Sequence, residues 1–148
     1  MKRPVLILLI GVICALCSTG AEAAPPADNV KILLGSWSGK VTGPQGGPPT
    51  GDVVVTFEKS GNLIVGKILV KAPGGAQYSG QLSDITLRNK VFSATAVFKL
   101  GESFLETRVS GPLMGKTISG DFSVMAKGQK MGDGTFCITK EAATKSKK

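Results

Sequence analysis

The sequence predicts an all-β protein built as a single eight-stranded antiparallel up-and-down β-barrel. From residue 34 onward, short segments alternate apolar and polar residues, the period of a two-faced strand. Turn-forming residues separate these segments, and no helical segment is long enough to serve as a crossover connection. Consecutive strands should therefore pair as hairpins, and closure into a barrel removes the exposed sheet edges. A two-sheet β-sandwich is the alternative architecture.

Residues 1–23 have the three parts of a secretory signal peptide. Lys2 and Arg3 are basic, residues 5–16 are apolar, and a small-residue cleavage site follows at Ala21–Ala23. The apolar run is too short for a membrane span. Neither cysteine of this segment follows the small residue that a lipoprotein site requires. We therefore expect cleavage after Ala23, with Ala24 as the close alternative, and an exported protein, periplasmic or extracellular.

The rest of the chain suits one domain. Cleavage would remove two of the 18 basic and one of the 10 acidic residues, leaving a net charge of about +7. We expect a flexible lead-in over residues 24–32, the barrel over 33–140 and a disordered basic tail over 141–148. This tail ends with Lys145, Lys147 and Lys148, which could make weak contact with anionic surfaces. An inert end is the favoured reading. Few arginines and scattered aromatic residues argue against nucleic-acid binding.

Each predicted strand combines alternation with bounding turn residues. Trp37, Gly39 and Val41 share a face of the first strand, and four residues of the fifth strand (Phe92, Ala94, Ala96 and Phe98) do so as well. A short helical turn is one reading of residues 30–34. The predicted strands cover residues 34–42, 52–58, 63–71, 78–87, 91–98, 103–110, 117–124 and 135–140. Because most of them are shorter than ten residues and aromatic girdles are lacking, we expect a soluble barrel rather than an outer-membrane one.

The irregular segments carry their own predictions. Residues 43–51 are rich in glycine and proline, which favours a flexible surface loop over a ligand-contacting loop at a barrel mouth. Alternation slips at Ser83-Asp84, which predicts a β-bulge. Gly111-Pro112 is expected to end the sixth strand, and residues 126–134 are expected to form a loop.

The alternating faces predict the core and its glycines. The residues expected to be buried are Trp37, Val55, Phe57, Ile68, Phe92, Phe98, Phe122 and Phe136. Gly39, Gly66, Gly80 and Gly120 lie on the same inward face. Glycine within a strand marks bending or close backbone approach, but it also leaves space for a guest in the lumen. Both readings stay open.

Catalytic and metal-binding residue sets are scarce. The chain contains no histidine, the commonest general base and metal ligand, and no carboxylate cluster with calcium-loop spacing. We therefore expect no enzymatic activity, no metal and no cofactor. Without the signal peptide Cys137 is the lone cysteine, and we predict a buried, unreactive thiol.

The alternation in strand six does not show which of its two faces points into the barrel. Glu106 and Arg108 share one side of it, and Leu105, Thr107 and Val109 the other. A solvent-exposed ion pair is the favoured interpretation. The alternative places Arg108 in the lumen as an anchor for an anion.

The stretch Leu34-Gly35-Ser36-Trp37 and the eight-strand meander resemble the calycin group, which includes lipocalins and avidins. Residues 115–122 also resemble a strand of small lipocalin-like modules in secreted bacterial proteins. The resemblance implies that Trp37 plugs the closed end of the barrel. It also implies that a basic side chain of the last strand covers this tryptophan, and Lys140 is the candidate.

The predicted function is an exported, non-enzymatic, lipocalin-like barrel that binds a small apolar or amphipathic molecule. The candidate lumen residues are Trp37, Tyr78, Phe92, Phe98, Phe122 and Arg108. The alternative is a protein-interaction module, an inhibitor or accessory domain, with a filled core and an outer interface including Val65 and Leu69. A cavity of about 300 Å3 or more favours the ligand-binding reading.

Overall fold

A computed structural model describes residues 30–43 and 49–143. The predicted signal peptide, most of the lead-in and most of the basic tail lie outside these ranges, as do residues 44–48 of the glycine- and proline-rich loop. The described chain has a short 3-10 helix, Lys31–Leu33, followed by strands β1 (Gly35–Thr42), β2 (Pro49–Ser60), β3 (Leu63–Lys71), β4 (Gln77–Arg88), β5 (Val91–Leu100), β6 (Ser103–Met114), β7 (Thr117–Ala126) and β8 (Gln129–Lys140). The helix lies where the sequence predicted a helical turn.

The strands form one closed barrel. Each pairs antiparallel with the next in sequence, and β8 returns to pair with β1, where Gly39 lies opposite Ile138. The prediction of a single eight-stranded up-and-down barrel is confirmed, and the sandwich alternative is wrong. Because β1 is paired on both sides, the barrel leaves no sheet edge between its first and last strands.

The two ends of the barrel differ. The end that carries the 3-10 helix and the hairpin turns at residues 61–62, 89–90 and 115–116 is called the closed end here. The turns at residues 72–76, 101–102 and 127–128 lie at the other end, called the open end. The chain enters β1 and leaves β8 at the closed end, where the Glu141 backbone N–H donates to the Ser36 carbonyl oxygen at 2.8 Å.

The inward faces form one hydrophobic core. Seven of the eight residues predicted to be buried are buried, and only Phe122 is half-buried. Strand β5 shows the alternation most clearly, with Phe92, Ala94, Ala96 and Phe98 inside. On the outer face, exposed ion pairs between described residues join neighbouring side chains, among them Lys40–Asp52, Lys67–Glu58, Arg108–Glu106 and Lys130–Asp133.

Several strands are longer than the sequence predicted. Strand β6 continues through Gly111-Pro112, where Pro112 lies opposite Val91 in the ladder. The loop predicted over residues 126–134 is wrong, because β7 extends to Ala126 and β8 begins at Gln129. Strands β2, β4, β6 and β8 each have 12 residues, so the expectation of short strands is also wrong.

The predicted bulge in β4 is confirmed. The register with β5 shifts between Ser83 and Thr86, and Asp84 has a positive φ of 51°. This left-handed residue lets the strand change its alternation, so that Leu82 and Leu87 are both buried. Without the shift, one of them would point to solvent.

The inward glycines mark close approaches of the chain. A Cβ on Gly39 or Gly120 would overlap the carbonyl oxygen of the neighbouring strand, whereas a Cβ on Gly66 or Gly80 would meet the side chains of Leu82 or Phe98 at 2.8 Å. None of the four positions opens onto empty space. The contacts therefore support the structural reading, in which these glycines let strands and side chains pack closely.

Cys137 is exposed, so the prediction that it is buried is wrong. Its neighbours Phe136 and Ile138 point into the core, and strand alternation therefore directs the thiol outward.

Candidate functional site

Trp37 seals the closed end of the barrel. It is 1% exposed, and its indole Nε1 donates to the Leu33 carbonyl oxygen at 2.7 Å, which holds the 3-10 helix against the barrel. The Lys140 Nζ lies 5.8 Å from the centroid of the Trp37 ring and donates to the Ile32 carbonyl oxygen at 2.8 Å. The positions of the plug and its covering lysine, implied by the calycin resemblance, are confirmed.

An aromatic cluster lies above this plug. The rings of Trp37 and Phe57 meet edge to face with centroids 6.4 Å apart, and those of Phe57 and Phe92 do so at 5.8 Å. Edge-to-face packing of buried rings is favourable because the positive ring edge meets the negative face. Phe57 and Phe92 line the lumen above, and Trp37 does not. Phe57 and Phe92 therefore form an aromatic floor between the closed end and the lumen.

The lumen above the floor holds a cavity of about 610 Å3. Its wall comes from alternate residues of several strands, among them Val55, Ile68, Phe98, Leu105 and Phe122. At the open end it is bordered by Tyr78, Leu100 and Met131, whose side chains are each more than two-fifths exposed. A guest could therefore enter from the open end without crossing the floor.

The cavity is apolar almost throughout. Thr107 is the buried polar side chain of the described core, and Tyr78 and Asp133 add polar atoms at the border of the open end. No lysine or arginine lines this cavity in the described part of the chain. The lumen can therefore hold an apolar body, while a polar group on the same molecule would stay near the open end.

Four of the six predicted lumen residues line the cavity: Tyr78, Phe92, Phe98 and Phe122. Trp37 lies below the floor and does not line the cavity. The prediction that Trp37 lines the lumen is therefore wrong, because the Phe57 ring packs against it and lines the cavity in its place.

Arg108 is the one lumen candidate that points away from the interior. Its Nε donates to the Glu106 Oε1 at 3.0 Å, and both side chains are exposed. Leu105, Thr107 and Val109 face the cavity instead, so the solvent interpretation of strand six is confirmed and the lumen placement of Arg108 is wrong. The physical reason is that alternation on β6 must bury Thr107, opposite Ala96, and hence exposes its two charged neighbours.

Several residues that line the cavity were not predicted from the sequence. Leu105, Thr107 and Val109 were undecided between the two faces, and Met131 fell in a predicted loop. The burial of Ala96 in a clearly alternating strand was a usable signal, because Thr107 is its direct cross-strand partner.

Groups suited to other chemistry are sparse in the described residues. No cluster of three or more histidine, cysteine, aspartate or glutamate side chains could hold a metal ion there. None of the helices described is both long and apolar enough to cross a bilayer.

Comparisons with known proteins support the fold. No family model matches the chain, and no curated protein shows significant similarity to it. A solved structure of a redesigned β-barrel is similar with a TM-score of 0.61 and 13% sequence identity, over 80% of this chain and 100% of the redesigned one. Similarity at this identity shows the barrel architecture alone. The barrel is compatible with the calycin resemblance, and membership of that group stays a prediction.

Proposed function

We propose that the protein is an exported, non-enzymatic binding protein that carries a small apolar or amphipathic molecule in its lumen. The observation that carries the proposal is the apolar cavity of about 610 Å3 above the aromatic floor. This volume lies within the range of about 300–1,000 Å3 that is usual for small-molecule sites.

The lining defines the class of ligand. Aromatic and aliphatic side chains surround the cavity, and a charged group placed deep inside would lose its hydration without gaining an ionic partner. An acyl chain, a fused-ring hydrocarbon or a comparable apolar body fits this interior. Any polar end would lie near the Tyr78 hydroxyl and Asp133, where water is accessible.

Export and the absence of catalysis are parts of the proposal that rest on the sequence. The residues 1–23 have signal-peptide character, and the chain has no histidine. A lumen filled by side chains would favour the alternative, a protein-interaction module. The cavity of about 610 Å3 favours ligand binding instead.

The experiment uses N-phenyl-1-naphthylamine, a neutral probe whose fluorescence rises in apolar surroundings. Two variants receive the same substitution on opposite faces. Val124→Trp places an indole ring at the cavity wall, whereas Val65→Trp adds the same ring to an exposed outer position. We expect the protein to bind the probe, Val124→Trp to weaken binding by about tenfold or more and Val65→Trp to leave it unchanged. Thermal unfolding of each variant verifies that it is folded.

Two results would overturn the proposal. The first is that the unsubstituted protein does not bind the probe. The second is that Val124→Trp, folded, binds it as tightly as Val65→Trp does, because the probe would then lie outside the lumen.

A further inference from the structure

The closed end exposes large apolar side chains that the lumen does not use. Leu63 is 72% exposed and Met114 71%, and Ile32 and Val91 are also exposed. All four lie on the 3-10 helix or at strand ends beside the hairpin turns of this end, and none lines the cavity. At the open end, Tyr78, Leu100 and Met131 border the mouth of the cavity, and Phe104 is an exposed apolar side chain there that does not line it.

Two of these side chains belong to a larger outer patch. Val91 lies directly opposite the exposed Pro112 on the neighbouring strand, and Met114 follows two residues later on the same side of β6. The Leu113 backbone N–H donates to the Lys90 carbonyl oxygen at 2.6 Å, which holds this corner of the barrel together. This bond ties the start of β5 to the end of β6, where the patch lies.

The same end is strongly basic. Among the described residues of this end, the basic ones are Lys31, Lys59, Arg88, Lys90, Lys116 and Lys140, and the acidic ones are Glu58 and Glu141. Two of these cations are next to the exposed apolar residues in sequence, in Lys31-Ile32 and Lys90-Val91. The chain beyond Glu141, with Lys145, Lys147 and Lys148 in its sequence, continues from this end.

Apolar side chains interspersed with lysine and arginine match the chemistry of an anionic membrane interface. The apolar groups enter the boundary between headgroups and acyl chains, and the cations remain with the lipid phosphates. Lysine near an anionic leaflet adds attraction that does not depend on a specific site. We propose that the closed end docks on a bilayer that contains anionic phospholipid, with the open end directed toward water. The proposal is independent of what the lumen holds.

The test is co-sedimentation with vesicles of phosphatidylglycerol and phosphatidylcholine in equal parts, compared with vesicles of phosphatidylcholine alone. All variants keep the same N-terminus, so any contribution of residues 1–29 is common to them. We expect binding to the anionic vesicles, weakened about tenfold or more by the double substitution Leu63→Ser and Met114→Ser. Phe104→Ser, at an exposed apolar position of the open end, is the matched control and should change nothing.

The charges are tested separately. Lys90→Gln and Lys116→Gln should each weaken binding by about fivefold at low salt, and by less as salt shortens the screening length. Deletion of residues 144–148 should weaken binding while the effect of Leu63→Ser and Met114→Ser persists. If the deletion abolishes binding and the double substitution changes nothing, the tail alone binds and the docking face is refuted.

A second readout reports orientation. Tryptophan introduced as Leu63→Trp should be quenched by brominated phosphatidylcholine within anionic vesicles, whereas Phe104→Trp should not, with Trp37 as a common background. Both positions are exposed, so the substitutions should leave the barrel folded, which circular dichroism verifies. Equal quenching of the two variants, or no binding to either kind of vesicle, would overturn the proposal.

Discussion

Replacement of Trp37 by alanine should be the most damaging single change at the closed end. The substitution removes a ring that is 1% exposed and packs edge to face on Phe57, and truncation of a buried aromatic residue costs about 3–5 kcal/mol. It also removes the indole donor, which leaves the carbonyl oxygen of the buried Leu33 without its partner at a cost of about 1–3 kcal/mol. Because the two losses overlap, we expect a total of about 4–6 kcal/mol, a large fraction of the stability of a small domain.

Two further variants separate the causes. Trp37→Phe keeps an aromatic ring but loses the donor, so it should cost about 1–3 kcal/mol. Lys140→Met removes the cation above the ring and should cost about 1 kcal/mol or less, because the ammonium group is solvent-accessible.

The assay is urea-induced unfolding followed by far-ultraviolet circular dichroism, since Trp37 is the only tryptophan and its loss removes the fluorescence signal. The slope of the free energy against urea should be equal in all variants, so that midpoints can be compared. A cost below about 1 kcal/mol for Trp37→Ala would refute the plug assignment. Equal costs for alanine and phenylalanine would show that the hydrogen bond, and not ring packing, dominates.

The remaining predictions concern backbone geometry and use the same assay. Gly120→Ala should lower the free energy of unfolding by about 1–3 kcal/mol, because its Cβ would overlap the Ser110 carbonyl oxygen. A Cβ on Gly132 would meet nothing within 4 Å, so Gly132→Ala should leave this free energy unchanged or raise it by up to about 1 kcal/mol. If Gly132→Ala were the more destabilising of the two, the close approach at Gly120 would be contradicted. Lys90→Gly should raise the free energy of unfolding by about 1 kcal/mol, because Lys90 has a positive φ of 62° in a two-residue hairpin turn, a conformation that glycine adopts without steric cost. Lys116→Gly removes the same charge from a turn residue without positive φ, and a matching gain there would show that charge is responsible.

Alternation predicted the barrel well because burial acts on every second residue of a strand. Strand β3 was predicted with its observed bounds, and the register slip at Ser83-Asp84 was visible as an interruption of the period. What failed was the reading of glycine as a loop signal. Gly132 and Gly134 lie inside β8, where a Cβ on Gly134 would meet the Phe122 ring at 2.6 Å. A residue chosen for close packing is indistinguishable in sequence from one chosen for a turn.

The site was less predictable than the fold for a related reason. Each face of β6 mixes apolar and polar side chains, Phe104 with Glu106 on one and Leu105 with Thr107 on the other. Its inward face is therefore recognised from cross-strand neighbours such as Ala96. Cys137 shows the opposite case. The alternation of Phe136 and Ile138 predicts the exposure that is observed, whereas the general tendency of cysteine to be buried predicts the opposite. Local alternation is the stronger argument because one core-facing neighbour on each side leaves the residue between them no inward path.

The aromatic floor makes the two proposals mechanically independent. Phe57 and Phe92 separate the cavity from the end where Leu63 and Met114 are exposed, so a change at one end does not remove a contact at the other. The arrangement also constrains how a ligand could move. Since the closed end is sealed by Trp37, exchange must occur through the open end, beside Tyr78. A barrel docked by its closed end would therefore exchange its ligand with the aqueous side, or with a partner there, and not directly with the bilayer beneath it.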